Sequence, residues 1–291
     1  MSINSLSHPR YIVNPDGSAL SGDYWISHAV DVIYSTYGDR VSIRDKSKDL
    51  VKFGRCSMNG NTNWQTVEIQ ADTTIENETF LTANTINYIV SSSTADIAAN
   101  NSSDGVIEGQ TIDGSGNLTF VSQAVILNGQ TPVALTTPLA RVTRWYNNDS
   151  AETVGKISIY ESTVTTITAG APSAGYAGVH LTMIAGSQNS NKCSTSISST
   201  DYWIITGVYA DVLSKSSENI ELSFEVRNSG KVFRQYFDFS CSTGVGQFRS
   251  SHPYIIIPSN SDVRIRAKCD GSFTGTLEVG AGIFGTLVSV I

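Results

Sequence analysis

Apolar and polar residues alternate one by one along most of the chain beyond about residue 50, and turn residues break the alternation roughly every 8–12 positions. A period of two puts every second side chain on one face of a strand. Wound into a helix, the same pattern would scatter its apolar residues around the cylinder. Ile220, Leu222, Phe224 and Val226 alternate with Glu221, Ser223 and Glu225 ahead of the turn Asn228-Ser-Gly-Lys231. Val263, Ile265, Ala267 and Cys269 alternate with Arg264, Arg266 and Lys268, and Cys241 shares a face with Phe233, Phe237 and Phe239. Both thiols therefore read as small core hydrophobes.

A helical period is confined to the N-terminal region, where Trp25, Ala29, Val32, Ile33 and Thr36 fall on one face between Asp23 and Gly38. Residues 1–23, broken by Pro9, Pro15 and Asp16-Gly17, read as an extended arm. Val106–Ile112, Leu118–Leu127 and Gln130–Leu135 are expected to form a three-stranded meander through the turns Asp113–Asn117 and Asn128-Gly129. A second series of strands begins at Arg141. The expectation is an all-β chain with three parts: an arm and short helix over 1–45, a β-sandwich or meander domain over 46–140, and a jelly-roll-like β-sandwich over 141–291. A chain of 291 residues can bury enough surface to hold such a fold without disulfides or a structural metal.

Charge and motifs then exclude function classes. Charged residues make up 15% of the chain, and the formal net charge is −7. Gripping nucleic acid or an anionic membrane requires clustered Lys and Arg, so neither is expected as a partner. The first residues carry no basic and apolar leader, and no run of apolar residues is long enough to span a bilayer as a helix. Cys56, Cys193, Cys241 and Cys269 lack metal-site spacing and are expected as free thiols. None of His8, His28, His180 and His252 sits in a catalytic motif, and nucleophile elbows, zinc-protease helices and phosphate loops are absent. Asp113-x-Ser115-x-Asn117 imitates a calcium loop, but Ala124 stands where the bidentate Glu would be needed. No catalysis, cofactor or metal is expected.

Two features point to subunit contacts. Neighbours on a strand face opposite ways, so the pairs Tyr24-Trp25, Trp145-Tyr146 and Tyr202-Trp203 should each send one ring outward. Trp25, Trp145, Tyr146, Tyr202 and Trp203 are the aromatic candidates. The basic row Arg264, Arg266 and Lys268 would repel itself unless answered, and Glu221 and Glu225 form the matching acidic row, in the same subunit or a neighbour.

Val90-Ser-Ser-Ser-Thr-Ala-Asp96, Ile107-Glu-Gly109, Asp113-Gly-Ser-Gly-Asn117, Leu127-Asn-Gly-Gln-Thr-Pro-Val133, Arg141-Val-Thr-Arg144 and Gly155-Lys-Ile-Ser-Ile159, with Ile255–Ile265 and Gly275–Ile291, together resemble poorly characterised virion structural proteins of tailed bacteriophages, particularly marine ones. The resemblance spans about residues 50–291 and carries no catalytic signature. It implies a capsid cement or decoration protein, a homo-oligomer and most readily a trimer, held on the virion against a major capsid protein or another virion protein after assembly in the host cytoplasm. A receptor- or glycan-binding module of a head fibre or tail is the alternative. Ser, Thr and Asn, numbering 40, 28 and 19, fit a surface covered by neutral polar groups.

Overall fold

The computed structural model describes residues 41–42, 48–58, 64–67, 79–172, 178–190, 192–213, 219–242, 247–269 and 277–290. The arm, the short helix and Trp25 lie outside them. In chain order the strands are β1 (Val41–Ser42), β2 (Lys48–Met58), β3 (Gln65–Thr66), β4 (Ile86–Ser91), β5 (Asp104–Ile112), β6 (Leu118–Ile126), β7 (Val133–Leu139), β8 (Arg141–Asn147), β9 (Ile157–Glu161), β10 (Ile167–Thr168), β11 (Ala171–Pro172), β12 (Val179–Met183), β13 (Thr195–Ile197), β14 (Asp201–Leu213), β15 (Asn219–Asn228), β16 (Arg234–Ser242), β17 (Gln247–Ile257), β18 (Ser261–Cys269) and β19 (Leu277–Val290). The described chain is all-β, with one 3-10 turn at Ala98–Asn100. No helix among the described residues is long and apolar enough to cross a membrane.

These strands build two sandwiches. In the first, a sheet ordered β12-β9-β4-β7 packs on a sheet ordered β6-β5-β8. Ile86, Ile107, Leu139, Trp145, Ile157 and Met183 fill the space between them. In the second, β2-β19-β14-β17 faces β3-β18-β15-β16, with β1 beside β2 on β19 and β13 beside β3 on β18. Trp203, Phe224, Ile265, Ile283 and the thiols of Cys241 and Cys269 lie in its core. From β14 to β19 the chain crosses between these two sheets, and β2 and β3 complete them. Eight antiparallel strands in that order are a jelly roll.

Hydrogen bonding groups the strands differently from the expected division at residues 46–140 and 141–291. β8 pairs with β5 and β9 with β4, which carries the first sandwich past residue 140 to Met183 of β12. β2 pairs with β19 along its length, Lys48 opposite Leu287 and Met58 opposite Leu277, so residues 48–58 belong to the jelly roll. The first sandwich is thus inserted between β3 and β13. The chain leaves and returns beside the same strand, because Val67 donates its N–H to Ile265 and Thr195 stands opposite Val263, both on β18.

The turns show why the expected meander is not formed. At Asp113–Asn117 the carboxylate Oδ1 accepts the N–H groups of Ser115 and Asn117, each at 2.8 Å, and Gly116 takes a φ of 85°, closing the β5–β6 hairpin. Asn128-Gly129 instead carries the chain from β6 in one sheet to β7 in the other. Gly129, with a φ of 58°, donates to Asp96 and accepts from Ser91, and this docking on the 91–96 loop draws the next strand to β4.

Candidate functional site

Where the sandwiches meet, the contact is polar and buried. Asp262, at the start of β18, is fully enclosed and accepts two hydrogen bonds from Arg141 of β8, at 2.9 and 3.1 Å. It also accepts one from Arg227 of β15 at 3.0 Å and one from the Ser196 hydroxyl at 2.6 Å. Arg141 in turn donates to the carbonyls of Leu81 and Ala140, and both guanidiniums lie 5.2 Å from the centre of the Phe80 ring. The carboxylate is answered on every side, as a buried charge requires. Asn260 Oδ1 accepts the Leu118 N–H at 2.8 Å, and Gln110 Nε2 donates to the Ser196 carbonyl at 2.9 Å.

Beside this seam a cleft of about 300 Å³ opens between β2, β5, β6, β8, β13 and β19. Lys52 projects from the core-facing side of β2, in phase with Leu50, Gly54 and Met58, and donates to the Thr143 carbonyl of β8 at 3.2 Å. Burial pulls its pKa down from 10.5 to about 8 despite the charge of Glu108, and Lys192 and Arg144 add to the lowering. Lys192, also enclosed, donates to the carbonyls of Val142 and His180 at 3.3 and 2.9 Å. On β5, Glu108 stands 3.9 Å from Arg144, and Gln110 leaves its buried Oε1 without a partner. Phe120 of β6 stands directly opposite Gln110 in register and is 48% exposed. Asp201 accepts a hydrogen bond from the Ser289 hydroxyl at 2.6 Å. Amide, carboxylate, ammonium and guanidinium groups around an exposed ring suit binding, and neither His nor Cys lines the cleft. No group of His, Cys, Asp or Glu side chains that could hold a metal ion occurs among the described residues.

The residues expected at subunit contacts lie elsewhere. Trp145 and Trp203 are fully buried, one in each core, and Tyr202 is buried as well. Neither ring of the Tyr202-Trp203 pair leaves the core, because β14 is central and covered on both faces: Tyr202 and Ile204 are as enclosed as Trp203 and Ile205. Tyr146 is half-buried under the Arg144 guanidinium, 4.5 Å from its ring centre. The charged rows meet within the chain. Glu225 stands opposite Arg264 and Glu221 opposite Lys268 across β15 and β18. Arg264 bonds Glu225 at 2.8 Å, Arg266 shares the same carboxylate, and Lys268 reaches Glu221 at 2.8 Å. The outer side of this ladder is capped by rings, with Arg264 3.8 Å from the Phe233 centre and Lys268 4.7 Å from that of Trp64.

Sequence reasoning missed Lys52, Glu108, Gln110, Phe120, Arg141 and Asp262. The one signal that could have found them was Lys52, a cation in the apolar phase of its strand.

No family model and no curated protein matches the sequence. Among solved structures, the chain is similar to the VP2 subviral particle of infectious bursal disease virus, at 11% identity and a TM-score of 0.24 over 91% of this chain and 78% of that one. It is similar to T=1 particles derived from infectious bursal virus, at 10% identity and 0.22 over 90% and 79%. A tandem CBM22 domain of Paenibacillus barcinonensis Xyn10C matches at 11% identity and 0.22 over 84% and 94%. Superpositions at these scores assign neither fold nor role to this chain.

Proposed function

We propose that the protein is a non-enzymatic structural component of a virus particle, a capsid cement or decoration protein of a tailed phage that assembles with itself, as a trimer, on a major capsid protein. One observation carries the reading: a jelly roll, an architecture recurrent in viral capsids and lectins, is interrupted once by a complete second sandwich whose two chain crossings sit side by side on β18. That construction presents one sandwich on another. The seam around Asp262 ties the two together through Arg141. The low charge and neutral polar composition suit a protein displayed outside the host.

Subunit contact needs apolar surface, and the outward side of β2 supplies it: Val51 and Phe53 are exposed on an edge strand, with Phe284 opposite Val51. Light scattering on the purified chain, followed by re-binding to stripped particles, tests the proposal. A defined oligomer that returns to particles supports it, and Val51→Ser with Phe53→Ser should weaken the oligomer. A monomer that never re-binds overturns it.

A further inference from the structure

Every other buried charge at the seam has its partners, whereas Lys52 does not. Arg141 and Arg227 share Asp262, Glu225 holds two guanidiniums, and the Lys192 ammonium lies on two carbonyls. Lys52 is 8% exposed, gives one hydrogen bond, to Thr143, and forms no ion pair among the described residues, so two of its three donors are unused. A second polar group on the cleft is also incomplete, because Gln110 Oε1 is buried without a donor. Glu108, whose charge acts on Lys52, is paired instead with Arg144, at a loose 3.9 Å. A cleft of about 300 Å³ falls at the small end of the range for ligand sites, about 300–1,000 Å³.

The missing partners define a ligand. Lys52 lacks an anion, whereas Gln110 Oε1 and Glu108 call for hydroxyl donors, and the Phe120 ring offers an apolar platform. The two cations on the cleft, Lys52 and Arg144, are offset by the carboxylates of Glu108 and Asp201, which disfavours a doubly charged phosphate. A pyranose with one carboxylate meets all of these demands. We infer that the cleft between the sandwiches binds an acidic sugar unit, a uronic or sialic acid, with its carboxylate on Lys52, its hydroxyls on Glu108 and Gln110, and one ring face on Phe120. The site does not depend on the particle role: it would serve a displayed protein as a receptor contact, and it stands or falls separately from assembly.

Calorimetric titration of the intact protein with glucuronic acid and N-acetylneuraminic acid tests this, with glucose and inorganic phosphate as controls. One of the two acids should bind roughly tenfold or more tighter than glucose and phosphate. Lys52→Met should remove that preference without lowering the melting temperature, and the exposed Phe120→Ala should weaken binding in a folded protein. Absence of binding by both acids, equal binding of glucose or phosphate, or unchanged affinity in Lys52→Met would each overturn the inference.

Discussion

Arg141 and Asp262, 121 residues apart in sequence, face each other through two parallel hydrogen bonds in a site closed to solvent, and they tie the inserted sandwich to the jelly roll. Because Arg227 and the Ser196 hydroxyl converge on the same carboxylate, Asp262 neutralises more than one partner. Asp262→Asn removes the charge and leaves two guanidiniums facing an amide. A loss of about 3–5 kcal/mol is expected in urea unfolding. Wild-type protein should unfold in one transition, and the variant should separate into two as the sandwiches uncouple. A single transition at unchanged midpoint would show that the seam does not hold them together.

Both core tryptophans pack closely against a glycine of a neighbouring strand. A Cβ on Gly105 would come within 2.6 Å of the Trp145 indole, and one on Gly285 would meet the Ile204 carbonyl oxygen at 2.3 Å and Trp203 Nε1 at 2.7 Å. Gly105→Ala and Gly285→Ala should each cost about 1–3 kcal/mol or more, because the indoles have nowhere to move in a packed core. At Gly114 nothing lies within 4 Å, and Ala there should stay within about 0.5 kcal/mol of wild type. Thermal melts of the three variants decide the matter, and equal midpoints would refute the packing account.

Lys52 gives the protein a pH dependence with a definite sign. Its folded pKa, about 8, lies below its ordinary 10.5, so the unfolded chain holds this proton more tightly. Below pH 8 both states are protonated, and the folded state bears the full penalty of about 3 kcal/mol, at 1.36 kcal/mol per pH unit. Between pH 8 and 10.5 the folded state sheds the proton and the penalty fades. Lys52→Met should therefore be more stable than wild type at pH 7, and the difference should shrink toward pH 10. Urea unfolding of both proteins at pH 7, 8.5 and 10 measures it, and a gap that stays constant or widens would contradict the assignment.

What the sequence made legible was which face each strand buries. Alternation placed Cys241 and Cys269 in the core, paired the 220–226 strand with the strand beyond its Asn228–Lys231 turn, and set the acidic row Glu221 and Glu225 against the basic row Arg264, Arg266 and Lys268, while the individual partners and their being in one chain came from the register of β15 and β18. It does not name a strand's neighbour, since β2 pairs with β19 across more than two hundred residues and no local pattern encodes that contact. Nor does it register a strand covered on both sides, which is why one ring of the pair Tyr202-Trp203 is expected to point outward although both are buried. The cleft escaped for a related reason: Gln110 and Phe120 face each other in a local hairpin, but Lys52 comes from a jelly-roll strand that only the insertion brings beside them.

The ladder on β15 and β18 makes a graded prediction. The Glu225 side chain is 7% exposed and serves both Arg264 and Arg266, whereas Glu221 and Lys268 are 35% and 29% exposed and serve only each other across the strands. A pair as wet as the second contributes about 0–1 kcal/mol, whereas the enclosed Glu225 carboxylate would be left with Arg266 alone, losing one of two charged partners in a poorly solvated site. Arg264→Ala should therefore lower the melting temperature markedly, and Lys268→Ala barely. Reversing Arg264, Arg266 and Lys268 together to Glu would set five carboxylates on adjacent strands and should unfold the protein, with partial rescue by Glu221→Lys plus Glu225→Lys. Since both rows are answered within one chain, the loss should appear in the melt and not selectively in the oligomer. A triple variant that keeps its melting temperature while its oligomer dissociates on light scattering would return these residues to a subunit interface.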